Sequence, residues 1–198
     1  LNAHLSIRDV QRSMDAGAAY CAYRDGLDAG SKDMKTYQRL ETILESFGAW
    51  LPLADLLERR AQLIKEGSSN ALKRAVGIYT DEVPQREGLI RILTLQLETA
   101  FERSVMDRLI IELEEEGLWA DLKRVLETHG NTPEDLLRVV RLERLMGEPE
   151  TATLVGLYER IWRLGGRCED YWAPLRGFYR HSEDWAALES LATYVAAE

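Results

Sequence analysis

The chain has 198 residues, 45% hydrophobic and 30% charged, with a net charge of −9 and a pI near 5.0. This balance describes a folded chain rather than a disordered one. Lys and Arg are dispersed among Asp and Glu, so no basic track exists for nucleic acid or an anionic membrane surface.

No apolar run reaches the ~18–20 residues that cross a bilayer, so no membrane span is expected. The two cysteines, Cys21 and Cys168, are too few for a disulfide scaffold and read as buried or idle thiols. The chain opens on Leu1 without a signal-peptide pattern. It reads as a piece of a longer polypeptide, with a removed leader left open and the cytoplasm as the expected compartment.

Helix formers dominate, and no alternating run of β-branched residues calls for a sheet. Residues 1–30 form a less regular helical segment. Ser6 can cap a helix carrying Ile7, Val10 and Met14, and helix and turn are not separable around Gly17. Lys32 to Ser46 is a helix with Tyr37, Leu40 and Leu44 on one face, broken at Phe47-Gly48. A second begins at Trp50 with Leu53 and Leu57 and tolerates Pro52 in its first turn.

Gly67-Ser68-Ser69-Asn70 is a turn and cap. Leu72, Ala75 and Tyr79 follow, then a break near Val83-Pro84 and a helix with Gly88, Ile92 and Leu95. Met106, Leu109 and Leu113 share a face up to Glu116-Gly117, where glycine suits a left-handed C-cap. Trp119, Leu122 and Leu126 repeat that spacing. Thr132-Pro133-Glu134-Asp135 opens the helix of Leu136, Val139 and Val140. Pro149 opens another, through Leu154, Leu157, Tyr158 and Ile161, which Gly165-Gly166 stops. Trp172, Leu175 and Tyr179 mark the next, and Trp185, Leu188 and Ala192 the last.

Tyr37 and Trp50 stand 13 residues apart, as do Met106 and Trp119, and Trp172 and Trp185. Each heads an apolar triple at +3 and +7. Successive tryptophans of this set lie 69 and 66 residues apart, room for two units of ~34 residues each. A two-helix unit of that period resembles the tetratricopeptide repeat, most closely at Trp172-x2-Leu175-x3-Tyr179.

The family's small residue after the Leu is replaced by Arg176, Glu41 and Ile110, and its closing proline is mostly missing. Asp170-Tyr171-Trp172 and Leu157-Tyr158-Glu159-Arg160 are similar to the half-tetratricopeptide (HAT) repeat of RNA-processing scaffolds. The resemblance covers Lys32 to Val195. It implies an all-α fold, an α-solenoid of antiparallel helix pairs in a right-handed superhelical stack. About five to six units would form one domain over 1–198, with repeats over 32–195. In such a stack each hairpin buries its neighbour's apolar face. Trp50, Trp119 and Trp185 are expected to wedge between units, so that Trp119→Ala would cost on the order of 3–5 kcal/mol.

Catalytic and metal patterns are lacking in the sequence. His4, His129 and His181 are scattered, and no HExxH or CxxC occurs. The run Glu112, Glu114, Glu115, Glu116 reads as a solvated face, and Leu164-Gly165-Gly166-Arg167 as a helix stop. No cofactor, metal or enzyme activity is expected.

The resemblance implies that first helices line a groove holding a peptide or helix of another protein. The groove residues would be Lys35, Gln38, Thr42, Asn70, Lys73, Gly77, Asp107, Ile111, Arg141, Ala173, Gly177 and Arg180. The expected function is a non-enzymatic interaction scaffold or adaptor. The alternative is an oligomerisation or regulatory module packing against itself or against other domains.

Overall fold

The structure, a computed structural model, describes residues 17, 18, 20, 21, 24, 25, 33–147 and 149–197. The expected first helix with Ser6, Ile7, Val10 and Met14 lies outside these residues, as does His4. Ten α-helices follow one another between Met34 and Val195, and no strand occurs among the described residues. They are α1 (Met34–Ser46), α2 (Trp50–Leu63), α3 (Ser68–Gly77), α4 (Arg86–Thr99) and α5 (Arg103–Glu115). Then come α6 (Trp119–His129), α7 (Pro133–Met146), α8 (Thr151–Arg163), α9 (Cys168–His181) and α10 (Trp185–Val195). The chain divides into two compact units, Leu1–Val105 and Met106–Glu198.

In the first unit α1 packs on α2, α2 on α3 and α3 on α4. Asp33 caps α1, its carboxylate accepting from the N–H groups of Lys35 and Thr36 at 3.4 and 3.1 Å. Tyr37, Leu40 and Leu44 are buried with Leu53, Leu57, Leu72 and Ala75, as their spacing requires. Past Gly77 the backbone widens into one π-helical turn, Ile78–Glu82, which buries Ile78 and Tyr79 before the break at Val83.

In the second unit α6 packs on α7, α7 on α8, α8 on α9 and α9 on α10. A capping box starts α7: the Thr132 hydroxyl accepts from the Asp135 N–H at 3.2 Å, and the Asp135 carboxylate accepts from the Thr132 N–H at 3.2 Å. The α8 helix starts at Thr151, two residues later than the Pro149 expectation.

The three turns that precede the repeat tryptophans share one geometry. Gly48, Gly117 and Glu183, each two residues before its Trp, have φ of 61°, 67° and 57°. The next N–H in each turn donates to a carbonyl five residues back: Ala49 to Leu44, Leu118 to Leu113 and Asp184 to Tyr179, all at 2.9 Å. This left-handed closure satisfies carbonyls that the helix end leaves open. The 13-residue spacing therefore marks a recurring turn.

The tryptophans themselves are not the expected wedges. Trp119 is 39% exposed and Trp185 62% exposed, and Trp50 is half-buried. At the first position of its helix the indole folds back over the turn. The Trp50 and Trp119 ring nitrogens pass 3.8 and 3.9 Å from where a Cβ on Gly48 or Gly117 would sit. Burial falls instead to the +3 and +7 leucines: Leu53, Leu57, Leu122 and Leu126.

Two further positions differ from the expected spacing. Tyr171 rather than Trp172 is fully buried on α9, above Leu175 and Tyr179; Trp172 is half-buried under the Arg176 guanidinium. On α10 Leu191 is buried, Leu188 half-buried and Ala192 exposed. Trp162 of α8 links three consecutive helices of the second unit. Its ring stacks on Tyr171 of α9 and meets Tyr194 of α10 edge-on, at centroid distances of 6.5 and 5.7 Å.

Candidate functional site

Polar side chains tie helices together inside each unit, and in the first unit they also link alternate helices. Glu41 of α1 is buried between Arg60 of α2 and Arg74 of α3, with Arg74 Nη1 donating to its Oε2 at 2.7 Å. Arg74 also reaches Glu45. One layer away Arg91 of α4 donates to Glu58 of α2 at 2.9 Å and to the Tyr79 hydroxyl at 3.3 Å. Glu41 and Arg74 are 33 residues apart, and so are Glu58 and Arg91. Both pairs join helices two apart in the first unit, α1 to α3 and α2 to α4.

In the second unit Lys123 of α6 bonds Glu143 of α7 at 2.6 Å, and the Tyr179 hydroxyl of α9 donates to Glu159 of α8 at 2.7 Å. Both pairs span 20 residues. Burial, reinforced by the Glu159 carboxylate, pushes the Tyr179 phenol well above the ordinary tyrosine range. Glu143 holds the Lys123 ammonium above its ordinary value. These groups are spent on packing and are poorly placed to serve a ligand.

Most of the expected groove residues are on the surface. Lys35, Gln38, Thr42, Asn70, Lys73, Asp107, Ile111, Arg141, Ala173, Gly177 and Arg180 are exposed, and Gly77 is half-buried. The Thr42 hydroxyl is turned back onto the Gln38 carbonyl at 2.9 Å, and Lys73 lies 4.0 Å from Glu102. Two of the set, Ala173 and Gly177, come together in a pocket of about 360 Å³ contained in the second unit.

Its α8 wall is Thr151, Leu154, Val155 and Tyr158, its α9 wall Ala173, Pro174, Gly177 and Phe178, and Arg144 and His181 complete the lining. Small residues open this cleft. A Cβ on Gly177 would meet nothing within 4 Å. Pro174 lies inside α9 and has no N–H to give the Asp170 carbonyl. Arg144 is held at the mouth by a 2.9 Å bond from its Nη2 to the Tyr158 hydroxyl.

No protein-family model matches this chain, and no curated protein does either. The reading of the site therefore rests on its geometry.

The pocket lies at the low end of the ~300–1,000 Å³ typical of small-ligand sites, and its lining is mostly apolar. Such a surface accepts an apolar side chain beside a polar group. Sequence reasoning missed Arg144, Tyr158, Pro174, Phe178 and His181 as partners of Ala173 and Gly177. Two helix breakers three residues apart in a helical pattern, Pro174 and Gly177, were the signal available.

Among the described residues, no group of three or more His, Cys, Asp or Glu is placed to hold a metal ion. No described helix is long and apolar enough to cross a membrane. Glu114, Glu115 and Glu116 are exposed at the end of α5, Gly165 and Gly166 close α8 as a helix stop, and the Cys21 thiol is free and exposed.

Proposed function

We propose that the chain is a non-enzymatic protein-interaction scaffold. In this reading its helix pairs are tetratricopeptide-like units of a right-handed α-solenoid, and an exposed cleft holds a peptide or helix from another protein. The observation that carries the reading is the α8–α9 pocket: apolar, open, and walled on one side by Ala173, Pro174 and Gly177. The repeated 33-residue charge pairs support the stacking of like helices on like helices. A mid-helix glycine that no side chain packs against costs about 0.5–1 kcal/mol relative to alanine. A partner approaching the Gly177 backbone closely gives that cost a purpose.

The test is affinity capture with the protein and its Gly177→Leu variant, whose added side chain projects into open space at the pocket. Loss of captured proteins from the variant, with unchanged circular dichroism, supports the reading. An identical set from both removes the pocket from it. A second reading, an oligomerisation or regulatory module, is favoured by exposed Leu145 and Met146 at the end of α7. Light scattering across a concentration series separates the two, because only the second requires a dimer.

A further inference from the structure

Resting on the scaffold reading, we infer that the α8–α9 pocket selects peptides in which an apolar side chain is followed closely by a carboxylate. The apolar cleft carries basic groups at its rim. The chain is strongly acidic overall, yet no carboxylate is among the residues lining this pocket, whereas a guanidinium and an imidazole are.

Arg144 is the recognising group. Its Nη2 is fixed by the Tyr158 hydroxyl at 2.9 Å, and among the described residues no carboxylate is within ion-pair distance of it. This differs from Arg60, Arg74 and Arg91, each of which is committed to a glutamate. A guanidinium tethered at one nitrogen keeps Nε and Nη1 for a planar anion, and the tether reduces the rotamer freedom lost on binding. The walls of Leu154, Val155 and Phe178 offer the adjacent apolar anchor site. Ala173 and Gly177 let a backbone pass close to α9. His181 lies at the same pocket and supplies a second nitrogen donor or acceptor at the mouth.

The probes are three pools of short fluorescent peptides with the same leucine or phenylalanine anchor. One pool carries Asp or Glu beside the anchor, one Ser or Gln, and one Lys or Arg. Anisotropy titrations are run on the protein, on Arg144→Gln and on Gly177→Leu. The Gln keeps an amide donor toward Tyr158, and Gly177→Leu provides a variant independent of Arg144.

The inference expects the acidic pool to bind best, to weaken about tenfold in Arg144→Gln, and to be blocked by Gly177→Leu. Equal binding of all three pools, blocked by Gly177→Leu, overturns the carboxylate preference and leaves the scaffold reading standing. Binding untouched by both substitutions overturns the assignment of this pocket. No binding by any pool, with a dimer that Gly177→Leu dissolves, overturns both in favour of a second copy as the occupant. No binding and no dimer overturns both outright.

Discussion

Removing the Glu41 carboxylate is the sharpest test of how the first unit is held. The Glu41 side chain is 7% exposed and that of Arg60 9% exposed, whereas Arg74 is 42% exposed. Glu41→Ala leaves the Arg60 guanidinium buried without its carboxylate. Breaking a buried pair from one side costs about 3–5 kcal/mol, mostly because the remaining charge stays desolvated. Arg74 is largely exposed and Glu41 keeps Arg60 without it, so Arg74→Met is expected to cost under about 1 kcal/mol.

Exchanging both buried members, Glu41→Leu with Arg60→Met, removes the charges together and should recover most of the loss. Urea unfolding followed by circular dichroism measures all four proteins. Trp50 is the sole tryptophan of the first unit, so it gives a local probe once the others are changed to phenylalanine. A Glu41→Ala loss below about 1 kcal/mol would refute the reasoning. So would a double variant no better than the single one.

Four other outcomes are expected. Trp119→Ala should cost about 1–2 kcal/mol rather than the larger loss of a buried aromatic, because its indole is more than a third exposed; a thermal unfolding series checks this. Gly117→Ala should cost about 1 kcal/mol at its φ of 67°, whereas Glu183→Gly should gain up to about 1 kcal/mol at the matching turn. Gly156→Ala should stabilise by about 0.5–1 kcal/mol in the same assay, since its Cβ would enter open space within α8. Tyr179 should ionise after the more exposed tyrosines in an alkaline absorbance titration. Its folded pKa lies above the unfolded value near 10, so its stabilising contribution is complete below about pH 10 and is lost as pH rises beyond it. Tyr179→Phe should take one tyrosine out of the late-ionising group, to which Tyr37 and Tyr79, also raised by burial, belong.

The helices were legible because their signals are local. Thr132 and Pro133 open their helix as a cap and a first-position proline, with Asp135 completing a capping box in space, and the +3 and +7 leucines after Trp50 and Trp119 are buried as their period requires. The 13-residue spacing correctly marked a recurring turn. It misplaced the burial of the tryptophans, because periodicity says which residues share a face and not which way the first side chain of a helix folds. Tyr171 displaced Trp172 from the core for a related reason: adjacent aromatics on one helix are about 100° apart, and only the neighbouring helix decides between them.

Glu41 was noticed only as a departure from a repeat pattern. Its role depends on Arg60 and Arg74, which lie 19 and 33 residues away, a distance that no local rule spans. The pocket was half legible. Ala173 and Gly177 follow from the helix face, but Arg144 and Tyr158 reach it from other helices.

The most direct measurement of the functional claim is a nuclear magnetic resonance titration of the isotope-labelled protein with the acidic-flanked peptide pool. Shift changes concentrated at Ala173, Gly177, Val155 and His181 are predicted. Changes centred on Lys35, Gln38 and Asn70 in the first unit, or none at saturating peptide, would contradict the account.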